Sequence, residues 1–126
     1  MKKIKIQGHL KKKGIEEGNT KYNLNGTINN NMISYVEKDK TKISLSFNKD
    51  SVELTRENEE IEMFLFFKED EETDGIYKIK ELDLNIPITI FTDKLEITKN
   101  SILIKYYLTL DIEDLGLFEY FIEYKE

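Results

Sequence analysis

Apolar and polar residues alternate along most of the chain, which predicts β-strands that each bury one face. The alternation is clearest over 43–47, 52–54 and 61–67, and again over 82–90 and 102–110. These stretches are rich in β-branched and aromatic residues, as strands usually are. Turn-forming residues separate them at 29–30, 39–40, 49–50, 58–59, 69–74, 99–100 and 111–116. This spacing predicts about nine or ten short strands in an all-β meander, sandwich or barrel.

Two segments depart from the simple pattern. Pro87 lies inside the longest apolar run and cannot donate to a strand ladder, so it predicts a bulge, an edge or a strand break. The closing segment 115–124 fits either one helical face or an alternating strand. Its aromatic and β-branched content favours the strand, and no helix is predicted elsewhere in the chain.

The lengths of the predicted turns decide which side chains share a face. A two-residue turn at 49–50 would pair Ile43 with Arg56, and a two-residue turn at 58–59 would pair Arg56 with Ile61. Arg56 is the only arginine among 19 basic residues, and its guanidinium offers a planar fork that lysine lacks. The pattern therefore predicts one arginine on the apolar side, where an unpaired charge is costly.

The partner of this arginine depends on the preceding turn. A two-residue turn at 39–40 would pair Ile43 with Val36 and send Glu37 outward. A three-residue turn would instead pair Ile43 with Tyr35 and bring Glu37 inside. We favour the three-residue turn because it supplies the buried guanidinium with a carboxylate.

Two interpretations of this polar cluster remain open. In the first, Arg56 receives the anionic or polar head group of a ligand beside Glu37, Tyr35 and Tyr77. In the second, Arg56 and Glu37 form an internal ion pair that locks a packed barrel. The candidate ligand-binding residues are therefore Arg56, Glu37, Tyr35 and Tyr77.

Some strands are apolar on both faces, which an isolated barrel does not need. Phe64 and Phe66 oppose the inward row Met63, Leu65 and Phe67. Clustered outward aromatic residues often mark an interface, so Phe64 and Phe66 predict a homodimer contact. Similar outward positions are Phe91, Leu103, Tyr107, Leu117 and Phe121.

One segment matches the spacing of a calcium-binding loop. Asp70, Glu72, Asp74, Gly75 and Glu81 fall at positions 1, 3, 5, 6 and 12 of that pattern. Alternating strand-like residues flank the segment instead of the helices that gather calcium ligands. We interpret the match as a coincidence in an acidic hairpin, and no metal site is predicted.

The composition narrows the chemistry. The chain has no cysteine and a single histidine, His9, which disfavours a nucleophilic triad and a His/Cys metal site. No enzyme activity and no cofactor are predicted. The net charge is −6, and the main basic cluster, Lys11 to Lys13, falls in a predicted solvated loop. A nucleic-acid partner is therefore not expected.

The length of 126 residues suits one domain spanning 1–126. No stretch is long and apolar enough for a membrane helix, and the N-terminus lacks the apolar run of a signal peptide. These features, with the absence of cysteine, predict a cytoplasmic protein.

Several short motifs, taken together, are similar to those of the YwiB-like family of bacterial proteins. They are ISYVE at 33–37, VELTR at 52–56, the Tyr77 segment, ILIKYYLTL at 102–110 and Gly26 before the third strand. The resemblance runs over nearly the whole chain. It implies a calycin-like barrel related in shape to lipocalins, and it implies no particular activity. The chain lacks tryptophan, so the Gly-x-Trp signature of lipocalins is missing and extracellular ligand transport does not carry over.

The sequence thus predicts an antiparallel, up-and-down, calycin-like barrel of about eight to ten strands. Its predicted function is non-enzymatic binding of a small hydrophobic or amphiphilic ligand inside the barrel. The alternative is a structural or protein-interaction module whose interior is filled by its own side chains. A cavity above ~300 Å³ would favour the first, and a filled interior with an apolar outer patch would favour the second.

Overall fold

The computed structural model describes residues 1–14 and 19–126 and contains ten β-strands. In chain order they are β1 Lys2–Lys12, β2 Thr20–Asn29, β3 Met32–Val36, β4 Lys42–Phe47, β5 Ser51–Glu57, β6 Ile61–Lys68, β7 Glu72–Ile79, β8 Leu84–Ile97, β9 Ser101–Leu110 and β10 Glu113–Lys125.

Each strand pairs antiparallel with its neighbours in sequence, and β1 pairs with β10 to close the sheet into a barrel. The predicted all-β, up-and-down barrel is therefore confirmed, with ten strands. The segment 115–124 forms most of β10, so its interpretation as a strand is also confirmed. No helix able to span a bilayer occurs in the described part of the chain.

Alternation places one apolar row of each strand inside the barrel. Twenty apolar or tyrosine side chains among the described residues are buried, and together they form one core cluster. Phe67, Ile33 and Ile104 each have no exposed surface. Much of the interior is consequently occupied by the protein's own side chains, as in other small closed barrels.

Pro87 remains within β8 and pairs with Ile76 of β7. Its carbonyl accepts a hydrogen bond from the backbone N–H of Asp111, 2.9 Å away, where β9 has already ended at Leu110. In an antiparallel pair the nitrogen and the carbonyl of one residue point to the same side, so the nitrogen of Pro87 also faces the end of β9. Its missing N–H therefore removes no hydrogen bond from the β8–β9 ladder, which begins at Ile88. The predicted alternatives were a bulge, an edge or a strand break, and the structure has a local edge at Pro87. The bulge of β8 lies farther along the strand, between Thr92 and Lys94.

The predicted pairing of Ile43 with Arg56 is confirmed. The predicted pairing of Arg56 with Ile61 is wrong, because Arg56 lies opposite Met63. The reason is Asn58, whose side-chain oxygen accepts the N–H groups of residues 60 and 61 and moves the two-residue turn one position along the chain. The register shifts by two residues, so Arg56 keeps its inward face.

The three-residue turn at 38–40 is confirmed by the pairing of Tyr35 with Ile43. The backbone N–H of Glu37 donates to the carbonyl of Thr41 at 2.8 Å and closes this turn. Lys40 has a φ of 71°, the left-handed conformation that such a turn requires. Glu37 consequently lies on the inward side, at the end of the barrel that carries this turn.

Candidate functional site

Three of the four candidate ligand-binding residues lie in one inward-facing row. Successive cross-strand pairs join Tyr35 to Ile43, Ile43 to Arg56, Arg56 to Met63, and Met63 to Tyr77. Tyr77 is half-buried and packs against the core, with Met63 between it and the arginine. In this row Ile43 stands between Tyr35 and Arg56, and Met63 stands between Arg56 and Tyr77. Of these two tyrosines, Tyr35 is the one whose charge interaction raises the pKa of Arg56.

Arg56 and Glu37 form a direct ion pair, with 2.6 Å between Nη2 of the arginine and Oε1 of the carboxylate. The side chains are 23% and 10% exposed, respectively. Burial acts to lower the pKa of Arg56, but the Glu37 carboxylate and the Tyr22 hydroxyl outweigh it and raise that pKa. The arginine is therefore charged, and its charge has an internal partner without any ligand.

The turn that carries Glu37 is itself held by polar contacts. The Asp39 carboxylate accepts the backbone N–H of Thr41 at 3.0 Å, and the pKa of Asp39 is lowered by this bond. The Thr41 side chain is buried and accepts a hydrogen bond from the Asn58 amide at 3.2 Å. Two neighbouring turns are thus fixed to each other beside the ion pair.

A group of buried tyrosines surrounds the pair, and only one of them, Tyr35, was a candidate from the sequence. The hydroxyls of Tyr35 and Tyr120 lie 2.6 Å apart, and the Tyr22 ring meets both of these rings edge-on. Burial raises the pKa of Tyr35, Tyr120 and Tyr106 well above its usual value. These tyrosines are therefore neutral hydroxyl groups at physiological pH. Alternation alone predicted that Tyr106 and Tyr120 face inward, but it did not predict that the charge of Arg56 acts on them.

The Tyr22 hydroxyl is buried beside Arg56 and Glu37, and within the described residues no group meets it at full hydrogen-bond geometry. Burial, followed by the nearby Glu37 carboxylate, raises the pKa of Tyr22 to about 12. A buried hydroxyl without a well-aligned partner costs stability.

A separate groove of about 980 Å³ lies on the outside of the barrel, across β1 to β5. Short hydroxyl side chains from four adjacent strands form its wall. They are directly paired in one row, Thr27 with Ser34, Ser34 with Ser44, and Ser44 with Thr55. We call this surface the hydroxyl groove.

Charged side chains form the rim of the hydroxyl groove, and the acids among them already have partners. Glu57 is paired with Lys80 at 2.8 Å, and Glu126 is paired with Lys2 at 3.2 Å. Within the described residues, the rim lysines Lys3 and Lys5 have no ion pair. The rim therefore has an excess of positive charge, although the whole chain is acidic.

No pattern in the sequence predicted the hydroxyl groove. Outward Ser and Thr residues of a strand look the same whether they face bulk solvent or form the wall of a groove. Recognising the groove requires the register of five strands at once, because its wall is a row across the sheet and not a segment of the chain.

The structure places Phe64 on the outer face of the barrel, where it is 42% exposed. Phe64 pairs directly with Ile76 of β7, and Phe91 of β8 pairs with Tyr107 of β9 in the same way. We call these two cross-strand pairs the apolar outer face. Phe66 also lies on the outer side and is half-buried.

The residues of the calcium-loop pattern are spread along a strand. Asp70 precedes β7 and Glu81 follows it, so the first and last positions of the pattern lie beyond opposite ends of that strand. An extended strand of eight residues holds them apart by roughly 25 Å, whereas calcium ligands lie within about 2.6 Å of the ion. The pattern does not gather its carboxylates around one point.

Comparisons with known proteins agree with this geometry. The sequence profile of a family described as a domain of unknown function (DUF1934) matches residues 4–122. The crystal structure of the YwiB protein from Bacillus subtilis superposes with a TM-score of 0.67 at 16% identity, covering 98% of this chain and 89% of that chain. At this identity the likeness concerns the fold. A comparison with curated protein sequences gives no match.

The ion pair makes a prediction for the stability of the protein. We expect Arg56→Ala to reduce the free energy of unfolding by about 3–5 kcal/mol, because it strands the buried Glu37 carboxylate. Arg56→Lys should cost less but still destabilise, since a point charge does not replace the planar fork. Chemical denaturation of both variants, Glu37→Gln and the Arg56→Ala/Glu37→Gln double variant measures the coupling between the two residues. A coupling near zero, or a gain in stability on removing Arg56, would contradict a structural ion pair.

The tyrosine cluster makes a second prediction with an internal control. Tyr22→Phe should leave the free energy of unfolding unchanged or raise it, because it removes an unsatisfied buried hydroxyl. Tyr35→Phe should lower it by about 1–3 kcal/mol, because the Tyr120 hydroxyl then loses its partner. Thermal and urea unfolding followed by circular dichroism compare the two variants. Equal losses of stability in both would show that the Tyr22 hydroxyl has a partner in solution.

Proposed function

The chain belongs to the DUF1934 family, and we propose that it is a non-enzymatic protein that binds a small amphiphilic anion in the hydroxyl groove. The observation that carries this proposal is the groove itself, a space of about 980 Å³ with unpaired lysines at its rim. Sites for small ligands commonly measure about 300–1,000 Å³.

The arrangement of the interior supports an outer site over an inner one. Arg56 was the candidate for receiving an anionic head group inside the barrel, but its charge is already compensated by Glu37. An inner ligand would have to displace this carboxylate and part of a core that contains fully buried side chains such as Phe67 and Ile104. Binding in the outer groove would displace neither the carboxylate nor the core.

The chemistry of the lining supports an amphiphilic ligand. Lys3 and Lys5 offer positive charge at one side of the groove, where an anionic group would complete the missing ion pairs. The hydroxyl row offers hydrogen-bond donors and acceptors along the wall. Val36 is 53% exposed at the same groove and supplies apolar surface.

The absence of cysteine supports a reducing compartment, and we place this binding function in the cytoplasm.

Native mass spectrometry of the freshly purified protein tests whether a ligand copurifies. Calorimetry then tests its chemistry with two probes that share an alkyl tail, laurate and the neutral dodecyl maltoside, both below their micelle concentrations. We expect tighter binding of laurate, and we expect Lys3→Gln/Lys5→Gln to remove that preference. Ser44→Tyr should weaken both probes by filling the groove.

The matched control is Lys38→Gln/Lys49→Gln, which removes the same charge from two exposed turn residues outside the groove. This variant should bind laurate as the unaltered protein does. Equal affinity for the two probes, or laurate binding that survives both groove variants, would contradict the proposal.

The apolar outer face supports a second candidate, a protein-interaction module that forms a homodimer. Phe64 and Ile76 are 42% and 43% exposed, and Phe91 and Tyr107 form a second exposed pair. A two-fold contact would allow each copy to cover this face of the other. A stable contact of this kind should bury at least ~1,000 Å².

Sedimentation equilibrium at tens of micromolar tests the dimer. We expect a dimer that Phe64→Ser/Phe91→Ser converts to a monomer, because the variant removes aromatic area from both pairs. Val36→Ser is the control, since it removes an exposed apolar side chain from a different face. A monomer before any substitution would contradict the homodimer.

A further inference from the structure

A second cleft, of about 680 Å³, lies where the end of β1 meets β9 and β10. Four lysines line it, together with backbone and apolar groups of β10. The lysines are Lys11, Lys12, Lys13 and Lys105. We call this surface the lysine cleft, and it shares no lining residue with the hydroxyl groove.

The lysines of this cleft are not the solvated loop that the sequence suggested. β1 extends to Lys12, and Lys11 and Lys12 lie directly opposite Glu119 and Phe118 of β10. Barrel closure therefore holds the first part of the cluster on a paired strand. The backbone N–H of Lys13 continues this contact by donating to the carbonyl of Leu117 at 2.9 Å.

Among the described residues, the lining of the cleft holds fewer acids than lysines. Glu119 is the one acid among these described residues, and its carboxylate already contacts His9 at 2.6 Å and Lys105 at 3.6 Å. The His9 hydrogen bond is the main cause of the lowered pKa of Glu119, so the carboxylate is charged and occupied. Within the described part of the chain, Lys11 and Lys13 form no ion pair.

One further feature adds positive charge next to the cleft. Lys94 of β8 lies directly opposite Lys105 of β9, where like charges repel. Each of these lysines also contacts one carboxylate, Lys94 that of Glu96 at 3.1 Å and Lys105 that of Glu119 at 3.6 Å. This pairing of two lysines next to the cleft contrasts with the charge of the whole chain, which has 25 acidic residues and a net charge of −6. A bound anion would remove the repulsion.

Packing holds the shape of the cleft. The ammonium group of Lys12 lies 5.8 Å from the centroid of the Phe118 ring, close enough for a cation–π contact. Gly116 has a φ of 91°, which favours glycine, and a β-carbon there would stand at an ordinary contact distance of 3.5 Å from the Lys12 Cε. Lys12 continues the inward row of β1 and covers the Phe118 ring at this end of the barrel, whereas Lys11 and Lys13 are exposed.

We propose that the lysine cleft binds a compact ligand that carries two or more phosphate groups. Lysine ammonium groups bind phosphate as point charges, and several lysines along one cleft favour a multiply charged anion over a single carboxylate. The space is too small for a nucleic-acid duplex and lies within the usual range for a small ligand. This site is separate from the proposed amphiphile site and stands independently of it.

Calorimetric titration with sodium tripolyphosphate at low salt, with chelator present, tests the proposal. We expect one binding event per chain that weakens as salt is added, because screening reduces the attraction. Lys11→Gln/Lys13→Gln should weaken binding by at least about tenfold, since two phosphate contacts are lost. Lys38→Gln/Lys49→Gln removes the same charge elsewhere and should bind as the unaltered protein does.

Amide chemical shifts recorded during the same titration locate the ligand. We expect the largest changes at Gly14, Leu117 and Phe118, which line the cleft. Equal weakening in both double variants would assign the binding to net charge alone and overturn the proposal, as would the absence of binding at millimolar tripolyphosphate. Laurate binding is expected to be unchanged in Lys11→Gln/Lys13→Gln, so failure of either site is seen separately.

Discussion

The pairing of β1 with β10 is the interaction on which the rest of the structure depends. Eight cross-strand pairs join the two ends of the chain, from Lys5 opposite Lys125 to Lys12 opposite Phe118. Closure removes both edges of the sheet and sets the volume that inward side chains must fill. It also needs close backbone approach at Gly8, where a β-carbon would stand 1.9 Å from the Phe121 carbonyl oxygen. Any larger residue at this position would push the closing strands apart.

Closure explains why the charge of Arg56 in the inner polar cluster is paired. In an open sheet Arg56 could turn its guanidinium into water, but in a closed barrel its row ends among the tyrosines of the opposite wall. The guanidinium therefore needs a carboxylate at the same end, and the three-residue turn after β3 supplies Glu37. The buried charge and the turn geometry thus depend on each other.

Much of this was accessible from the sequence because strands have a period of two. Alternation predicted the inward rows, and the lengths of two turns predicted that Arg56 and Glu37 face inward together. The error at Ile61 arose because Asn58 uses its side chain to cap the turn, which shifts the register by two residues without changing the face. The tyrosines that meet across the barrel were not predicted, since strands far apart in sequence become neighbours only on closure. Tyr35 and Tyr120 are 85 residues apart.

Alternation along the sequence does not reveal the candidate binding surfaces on the outside of the barrel. Alternation distinguishes buried apolar positions from exposed polar ones, but it treats every outward Ser, Thr or Lys as solvated. Whether such residues form a surface depends on the cross-strand rows, and those rows exist only after ten strands are in register. Ser44 lies between Ser34 and Thr55, and Glu119 lies between Lys11 and Lys105. Packed side chains and one internal ion pair occupy the interior, so the binding sites that we propose lie on the outer rows of the barrel.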